Sequence, residues 1–150
     1  MAILRDRPYP GMNFTVDIGT GGSEGPESGL VEVVFPEARI HFSEYRNGND
    51  RVNEPIKLQS LTHYGTLILK RGVIGSLSWY AWWNDVRNGN ATAARNIRIN
   101  LLSEDHSAVV LTWKFLRAQP INHQYSPLNA VDTGTLIESL ELTFERLEME

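Results

Sequence analysis

Apolar and polar residues alternate along much of this chain, which is the pattern of strands that bury one face and expose the other. The alternation covers residues 12–18, 97–101 and 109–116. The polar segment 103–107 separates the last two runs and is short enough to be a hairpin turn. These segments predict antiparallel strands, because antiparallel sheets commonly keep one face in water.

Further regions bring the number of predicted strands to about seven. Residues 30–35 and 38–42 are separated by a proline, which predicts one long bent strand or two strands that meet at a corner. Residues 64–72 are predicted to form a short apolar strand that ends in two cations and a glycine. Residues 136–148 fit either a strand or a helix, and the β-rich remainder of the chain favours a strand. Residues 119–130, which contain two prolines, predict a loop.

One helix is predicted at about 76–88, followed by an Asn-Gly step that would end it. Its apolar residues recur at i, i+3, i+4 and i+7, and they are Trp79, Trp82, Trp83 and Val86. A stripe of indoles on one helical face indicates packing against a sheet, so we assign these tryptophans, together with Trp113, to the core. The alternative is that the stripe forms a platform for carbohydrate, as part of a β-barrel ligand-binding module.

Residues 43–61 form a predicted loop of 19 residues, which is long for a compact domain. Such loops are usually either mobile surface excursions or functional segments, and both alternatives are open here. The apolar residues Val52, Ile56 and Leu58 within this polar stretch favour an arm that becomes ordered against a partner. The N-terminal residues 1–11 are a second candidate arm.

The composition argues against chemistry at a conventional active site. The 150 residues predict a single domain, 1–150, with no cysteine and a net charge of −4. The four histidines lack the spacing of metal ligands, and no serine lies in a nucleophile motif. We therefore predict no catalytic residue, no metal and no cofactor. No apolar run is long enough to anchor the chain in a membrane or to serve as a signal peptide, which predicts synthesis in the cytoplasm.

The charged residues are unevenly distributed. The chain has 11 Arg against 3 Lys, and several arginines lie in or beside predicted loops, whereas five glutamates lie between positions 138 and 150. Arginine makes planar bidentate ion pairs and is favoured at protein interfaces. The basic loops and the acidic end of one chain would therefore be complementary between neighbouring copies, with a solvated mixed surface as the alternative.

The order of these segments resembles the tail tube protein family of contractile phage tails and contractile injection systems. The most specific stretch is Leu69-Lys70-Arg71-Gly72 followed by a helix with Trp82. The other segments that carry the resemblance, in chain order, are Tyr9-Pro10, Phe14-Thr15-Val16, Ser28-Gly29-Leu30, Leu61-Thr62-His63-Tyr64-Gly65, Leu101-Leu102, Trp113-Lys114-Phe115, Ala118-Gln119-Pro120, and Glu138 with Leu140, Glu141 and Leu142.

The resemblance implies two packed antiparallel sheets closed into a barrel, with one flanking helix, as in the haemolysin-coregulated tube proteins. It implies a structural subunit that forms hexameric rings, which stack into a hollow tube carrying DNA or a protein toxin. The implied partners are other copies of the chain, a sheath protein, a baseplate hub and tube-terminating proteins, within a phage tail or a contractile injection particle. A tube-initiating subunit at the baseplate is the alternative within the same class.

The residues that we expect at contacts between copies lie in the arms, the loops and the acidic end of the chain. They are Tyr9, Arg46, Asn47, Arg51, Ile56, Leu58, Arg71, Tyr125, Glu141 and Glu145.

Overall fold

The structure, a computed structural model, describes residues 1–22 and 25–150, so that Ser23 and Glu24 lie outside the described residues. The described part is mainly β, with one α-helix. Its elements are β1 (Phe14–Asp17), β2 (Glu32–Val34), β3 (Ala38–Tyr45), β4 (Ile56–Tyr64), β5 (Leu67–Gly72), α1 (Ser78–Arg87), β6 (Arg95–Leu102), β7 (Val109–Tyr125), β8 (Ile137–Thr143) and β9 (Arg146–Met149).

Seven strands form one antiparallel sheet in the order β1-β6-β7-β8-β5-β2, with β9 also paired to β7. The long strand β7 belongs to both halves of this sheet, because its first half pairs with β6 and β9 and its second half pairs with β8. Buried residues of both halves, from Val16 on β1 to Leu142 on β8, form a single core. The predicted fold class, with antiparallel sheets and one flanking helix, is therefore confirmed.

The helix contributes two of its three tryptophans to the core. Trp79 and Trp82 are fully buried, and the indole Nε1 of Trp82 donates to the carbonyl oxygen of Ala93 at 2.6 Å. Trp83 is half-buried beside Arg87, outside the core. The carbohydrate platform is therefore wrong, because buried indole faces cannot stack on a sugar. Gly89 follows the helix at φ 79°, which confirms the predicted Asn-Gly stop.

Among residues 1–22 and 25–150, strands β3 and β4 pair only with each other, and they form a two-stranded ribbon that we call the arm (residues 38–64). The arm continues the β2–β5 pair, since the amide nitrogen of Gly65 donates to the carbonyl oxygen of Glu37 at 2.9 Å. A Cβ at position 65 would lie 3.3 Å from the backbone nitrogen of Glu37, so the close approach favours glycine. The chain between the sheet and the arm is thus the predicted corner.

The predicted loop at 43–61 is wrong in extent. Its two ends, 43–45 and 56–61, are strand residues, and only 46–55 connects them. The predicted loop at 119–130 is wrong over its first part, because β7 runs through Pro120 to Tyr125. Pro120 lacks a donor, and the ladder shifts register immediately after it.

The C-terminal segment is confirmed as β structure but contains two strands. The chain turns after β8 at Phe144, whose ring is buried in the core against Phe115. It then returns as β9 along the first half of β7. The turn at Phe144 thus lets the segment pair with the second half of β7 through β8 and with the first half through β9.

Candidate assembly surfaces

The arm exposes apolar side chains on both of its faces. Tyr45 is paired with Ile56, and the next residue pair on the same face contains Leu58; all three are about half exposed. Phe42 and Ile40 are similarly exposed on the opposite face. A two-stranded ribbon with no buried face gains little from folding by itself, and exposed apolar rows of this kind mark interaction surfaces.

Hydrogen bonds within the turn define the tip of the arm. The guanidinium of Arg46 donates to the carbonyl oxygens of Asp50 at 2.7 Å and Val52 at 3.0 Å. The backbone nitrogen of Asn47 donates to the Asp50 carboxylate at 3.0 Å, and the Tyr45 hydroxyl donates to the Asn47 side chain at 2.6 Å. Among the predicted contact residues, Arg46 and Asn47 therefore have partners within their own tip.

The side chains of Arg51, Ile56 and Leu58 are exposed. The Arg51 guanidinium has no hydrogen-bonding partner among the described residues. These three are the predicted contact residues that the arm presents to a neighbour.

The N-terminal segment (residues 1–11) is bound to its own chain through Arg5. The guanidinium makes a two-point ion pair with Glu104, at 2.6 and 3.0 Å, and lies 3.8 Å from the centre of the Tyr9 ring. The Ile3 amide donates to the carbonyl oxygen of Val110 at 2.9 Å, beside the end of β9. The predicted contact residue Tyr9 is consequently half-buried, and its hydroxyl donates to the carbonyl oxygen of Ile3.

The turn that receives Arg5 is itself stiffened by a carboxylate. The hydroxyls of Ser107 and Ser103 donate to Asp105 at 2.6 and 2.7 Å, and these bonds lower the pKa of Asp105 to about 2. Because this pKa is lowered, the bonds stabilise the turn fully at pH values above the ordinary pKa of an aspartate. Their stabilisation is lost as the pH falls through about 2. The Arg5 hydrogen bonds also lower the pKa of Glu104.

We predict that Glu104→Gln releases the N-terminal segment. The neutral amide loses the charge-assisted bonds to Arg5, so we expect trypsin to cleave after Arg5 a few-fold faster than in the wild-type chain. The rate is measured by mass spectrometry of timed digests. Glu37→Gln, which alters an exposed carboxylate paired only with Arg39, is the control. An unchanged cleavage rate in Glu104→Gln would show that the ion pair does not hold the segment.

Arg71 is the one predicted contact residue that the structure buries completely. Its side chain is 0% exposed and forms an ion pair with Glu138, its direct cross-strand partner on β8. The guanidinium also donates to the carbonyl oxygen of Glu27 at 2.8 Å and lies 4.1 Å from the centre of the Trp79 ring. The interpretation of Arg71 as a contact residue is wrong, because its charge is satisfied inside the chain.

The buried pair extends toward the surface through the second half of β7. The Nε2 atom of His123 lies 3.2 Å from the second carboxylate oxygen of Glu138. Tyr125 follows on the same face, half exposed, and burial together with the nearby Glu138 charge raises its pKa. The sequence does not reveal that Glu138 and His123 belong to the buried network of Arg71, because the β5–β8 and β7–β8 registers bring them together.

The remaining predicted acidic contacts lie on the sheet. Glu141 accepts a hydrogen bond from the Thr66 hydroxyl at 2.6 Å and lines a cleft of about 730 Å³ on the outer face of β2, β5, β8 and the second half of β7. Glu145 is exposed and pairs with Arg117 at 3.2 Å. Both are therefore accessible at least in part, with partners that a neighbour would have to displace or share.

Strand edges are the other prominent surface feature. Within residues 1–22 and 25–150, β1 pairs only with β6, β2 only with β5, and β9 only with β7. The second half of β7 pairs only with β8. Each of these strands leaves one row of backbone donors and acceptors free for another strand.

The potential metal ligands are dispersed within residues 1–22 and 25–150. No group of three or more His, Cys, Asp or Glu side chains converges to hold a metal ion in this part of the chain. The described helix is too short and too polar to cross a bilayer. The surfaces that distinguish the molecule are therefore the arm, the strand edges and the exposed ion pairs.

Comparison with solved structures identifies the same fold in contractile particles. A chain of the anti-feeding prophage baseplate, symmetrised six-fold, is 25% identical with a TM-score of 0.81, over 97% of each chain. A chain of the PVC extracellular contractile injection system sheath-tube complex is 22% identical with a TM-score of 0.81, over 95% of this chain and 91% of that chain. Hcp1 from Flavobacterium johnsoniae is 13% identical with a TM-score of 0.54, over 91% and 93%.

A search of the curated proteins found no match. The model of one protein family, described as T4-like virus tail tube protein gp19, matches residues 10–148. This range takes in the helix, the whole arm and every strand of the sheet except Met149, the last residue of β9, and it leaves out the first nine residues and the last two. The chain therefore belongs to the T4-like virus tail tube protein family.

Proposed function

We propose that this chain is the repeating inner-tube subunit of a contractile tail or injection particle. Six copies form a ring, and rings stack into a hollow tube through which DNA or a protein effector passes. The observation that carries this proposal is the arm, which has exposed apolar residues on both faces and pairs with no other strand in the described part of the chain. The solved relatives support it, because they include a six-fold baseplate and a sheath-tube complex.

Ring closure uses the free strand edges. Four rows of unpaired backbone groups border the two halves of the sheet, and pairing an edge of one copy with a different edge of the next would satisfy them. Such a contact is head-to-tail, so it closes into a ring when the rotation between copies divides a full turn. The exposed apolar residues next to the edges, Ile121 and Met149, would be covered by the same contact.

Stacking uses the arm. Its eight-residue strand β3 spans about 26 Å, at roughly 3.3 Å per residue, so the tip reaches well beyond the sheet from which it projects. Burial of its apolar rows against a copy in the next ring would provide the hydrophobic part of the contact. The arm therefore has both the length and the chemistry of a stacking element.

Electrostatics must be complementary at these contacts. Six copies at −4 each give a ring a formal charge of −24, which would make identical rings repel. Screening over about 8 Å at physiological salt leaves close pairs as the deciding interactions. We propose that Arg51 and Lys57 of the arm meet the exposed acidic residues near the C-terminus, Glu145 among them.

Negative-stain microscopy of the purified protein tests the proposed function directly. We expect six-fold rings and hollow filaments at high protein concentration without added ligand. A chain that remains a monomer at every concentration and salt condition would contradict the proposal.

We predict that Arg51→Glu shortens or removes the tubes while it leaves the subunit folded. Arg51 is exposed and has no ion-pair or hydrogen-bond partner among the described residues, so the change affects only intermolecular contacts. Tube length is measured in micrographs, and the defect should diminish at high salt, where repulsion is screened. Arg98→Glu, at an exposed position of β6 whose side chain has no hydrogen bond or ion pair among the described residues, is the control. Tubes of wild-type length in Arg51→Glu would exclude this residue from stacking.

The proposed partners beyond the tube itself are a sheath protein, a baseplate hub and tube-terminating proteins. Relatives with this fold occur in structures of a baseplate and of a tube-terminating cap as well as of a sheath-tube complex. Because these structures include a baseplate, a tube-initiating subunit at the baseplate is the second candidate. An initiator would nucleate tubes of another subunit without forming long tubes by itself, which the same microscopy distinguishes.

A further inference from the structure

Two histidines of the arm lie together on one face. The ring centres of His41 on β3 and His63 on β4 are 6.1 Å apart, and both side chains are exposed. Neither ring has a hydrogen-bonding partner among the described residues. The other two histidines have different surroundings, because His123 faces Glu138 inside the chain and His106 lies in the exposed β6–β7 turn.

A bulge in the arm aims the two imidazoles at each other. Arg39 is paired with His63 and Ile40 with Thr62, whereas the next pair joins Phe42 to Gln59, so β4 has one extra residue opposite His41. His41 and His63 are thus diagonal neighbours on the same face, a relation that long side chains can bridge. Bulges increase the local twist and redirect side chains, which brings the diagonal pair within reach.

We propose that His41 and His63 form a two-histidine site for a late first-row divalent cation. Imidazole nitrogens bind such ions at about 2.0–2.1 Å, which places the centres of two rings that share one ion roughly 5–6 Å apart. The observed 6.1 Å needs only a small rotation of exposed side chains. Imidazole ligands favour Cu²⁺, Ni²⁺ and Zn²⁺ over the oxygen-seeking Ca²⁺ and Mg²⁺, and water would complete the coordination.

The number of ligands and the nearby charges determine how tightly the two histidines bind a metal ion. With two protein ligands the site has open positions, so it is a weaker site than a structural zinc centre with four. Arg39 is the cross-strand partner of His63, and its guanidinium forms an ion pair with Glu37 at 3.3 Å. Removal of this cation should strengthen metal binding, because it takes away a like charge near the ion.

A bound ion would fasten β3 to β4 midway along the arm. The ribbon is held by its ladder and by the hydrogen bonds of its tip, and a two-stranded hairpin is marginally stable in water. An ion that binds only the paired form of the ribbon stabilises that form by mass action. The site thus stiffens the arm, and it requires only the hairpin, whether or not the arm serves in stacking.

The test uses the full-length chain as free subunits from size-exclusion chromatography. Isothermal titration calorimetry with Cu²⁺, Ni²⁺ and Zn²⁺ should show one ion per chain, and Mg²⁺ should show none. We expect His41→Gln and His63→Gln each to weaken binding about tenfold or more, because either change removes one of two ligands. His106→Gln is the matched control and should bind as the wild-type chain does, whereas Arg39→Gln should bind more tightly.

Hydrogen exchange gives the second readout. Saturating Ni²⁺ should slow amide exchange across residues 38–64 in the wild-type chain and leave it unchanged in His63→Gln. Absence of saturable binding, or binding that survives either arm variant, would overturn the proposal. Equal losses in His106→Gln and the arm variants would also overturn it, since they would indicate nonspecific coordination by any histidine.

Discussion

Replacement of Arg71 by methionine is expected to lower the free energy of unfolding by about 3–5 kcal/mol, the loss typical when one partner of a buried ion pair is removed. The change leaves the carboxylate of Glu138 buried at 2% exposure without its guanidinium partner. It also removes the hydrogen bond to the carbonyl oxygen of Glu27 and the contact with the Trp79 ring. Equilibrium unfolding in urea, followed by tryptophan fluorescence, measures the difference.

Two further variants isolate the cause. Lys70→Met changes the neighbouring cation, whose side chain is partly exposed and only 3.6 Å from Glu32, and should cost less than about 1 kcal/mol. The double variant Arg71→Met with Glu138→Leu removes both charges and should recover much of the stability, because apolar replacements of buried ion pairs are often tolerated. An Arg71→Met chain within 1 kcal/mol of wild type would contradict a structural role for this pair.

The sequence was informative wherever one side of an element is buried. The alternation at 97–101 and 109–116 predicts β6 and the first half of β7. Ile97 and Ile99 of β6 are buried two residues apart, and on β7 the partly buried Trp113 packs against the core two residues before buried Phe115. The helix was predicted for a similar reason, since Trp79 and Trp82 lie three residues apart on its buried face. Local periodicity therefore accounts for most of the core.

The arm could not be predicted as a hairpin, because burial does not shape its sequence. The alternation at 38–42 predicts the first part of β3 as a strand. Residues 43–61 show no apolar period that would distinguish the rest of the ribbon from a loop, because every residue of β3 and nearly every residue of β4 is exposed. Its length and its scattered apolar residues do indicate a functional segment, and that interpretation remains a prediction of partner binding. The order of apolar and polar residues in such a ribbon matches the surface that it contacts in the assembly. That surface belongs to another copy, so a single chain does not contain it.

The location of Arg71 was unpredictable for a different reason. A Lys-Arg-Gly step at the end of a strand reads as a solvated surface. Its burial depends on the pairing with Glu138, 67 residues away along the chain, and on the helix that places Trp79 against the guanidinium. The register between β5 and β8 fixes this contact, and neither segment alone predicts that register.

Deletion of the arm is expected to abolish tubes without unfolding the subunit. Ala38 and Tyr64 are cross-strand partners, so an Asn-Gly turn can join them in place of residues 39–63. The ring of Tyr64 still packs on Phe144, and the core contains no residue from the deleted segment. We therefore expect a midpoint of thermal unfolding close to that of the full-length chain, together with single rings or free subunits in negative stain.

A milder variant determines which property of the arm matters. Ile56→Ser with Leu58→Ser keeps the ribbon and its ladder but removes two apolar side chains from one face, each about half exposed. If stacking buries this row, tube formation should require a higher protein concentration, because the hydrophobic part of every ring-to-ring contact is reduced. The matched control is Ser43→Thr with Gln59→Asn, which alters exposed polar positions of the same strands without changing their charge. Sedimentation at increasing protein concentration measures the threshold, and an arm deletion that still forms tubes of wild-type length would exclude the arm as the stacking element.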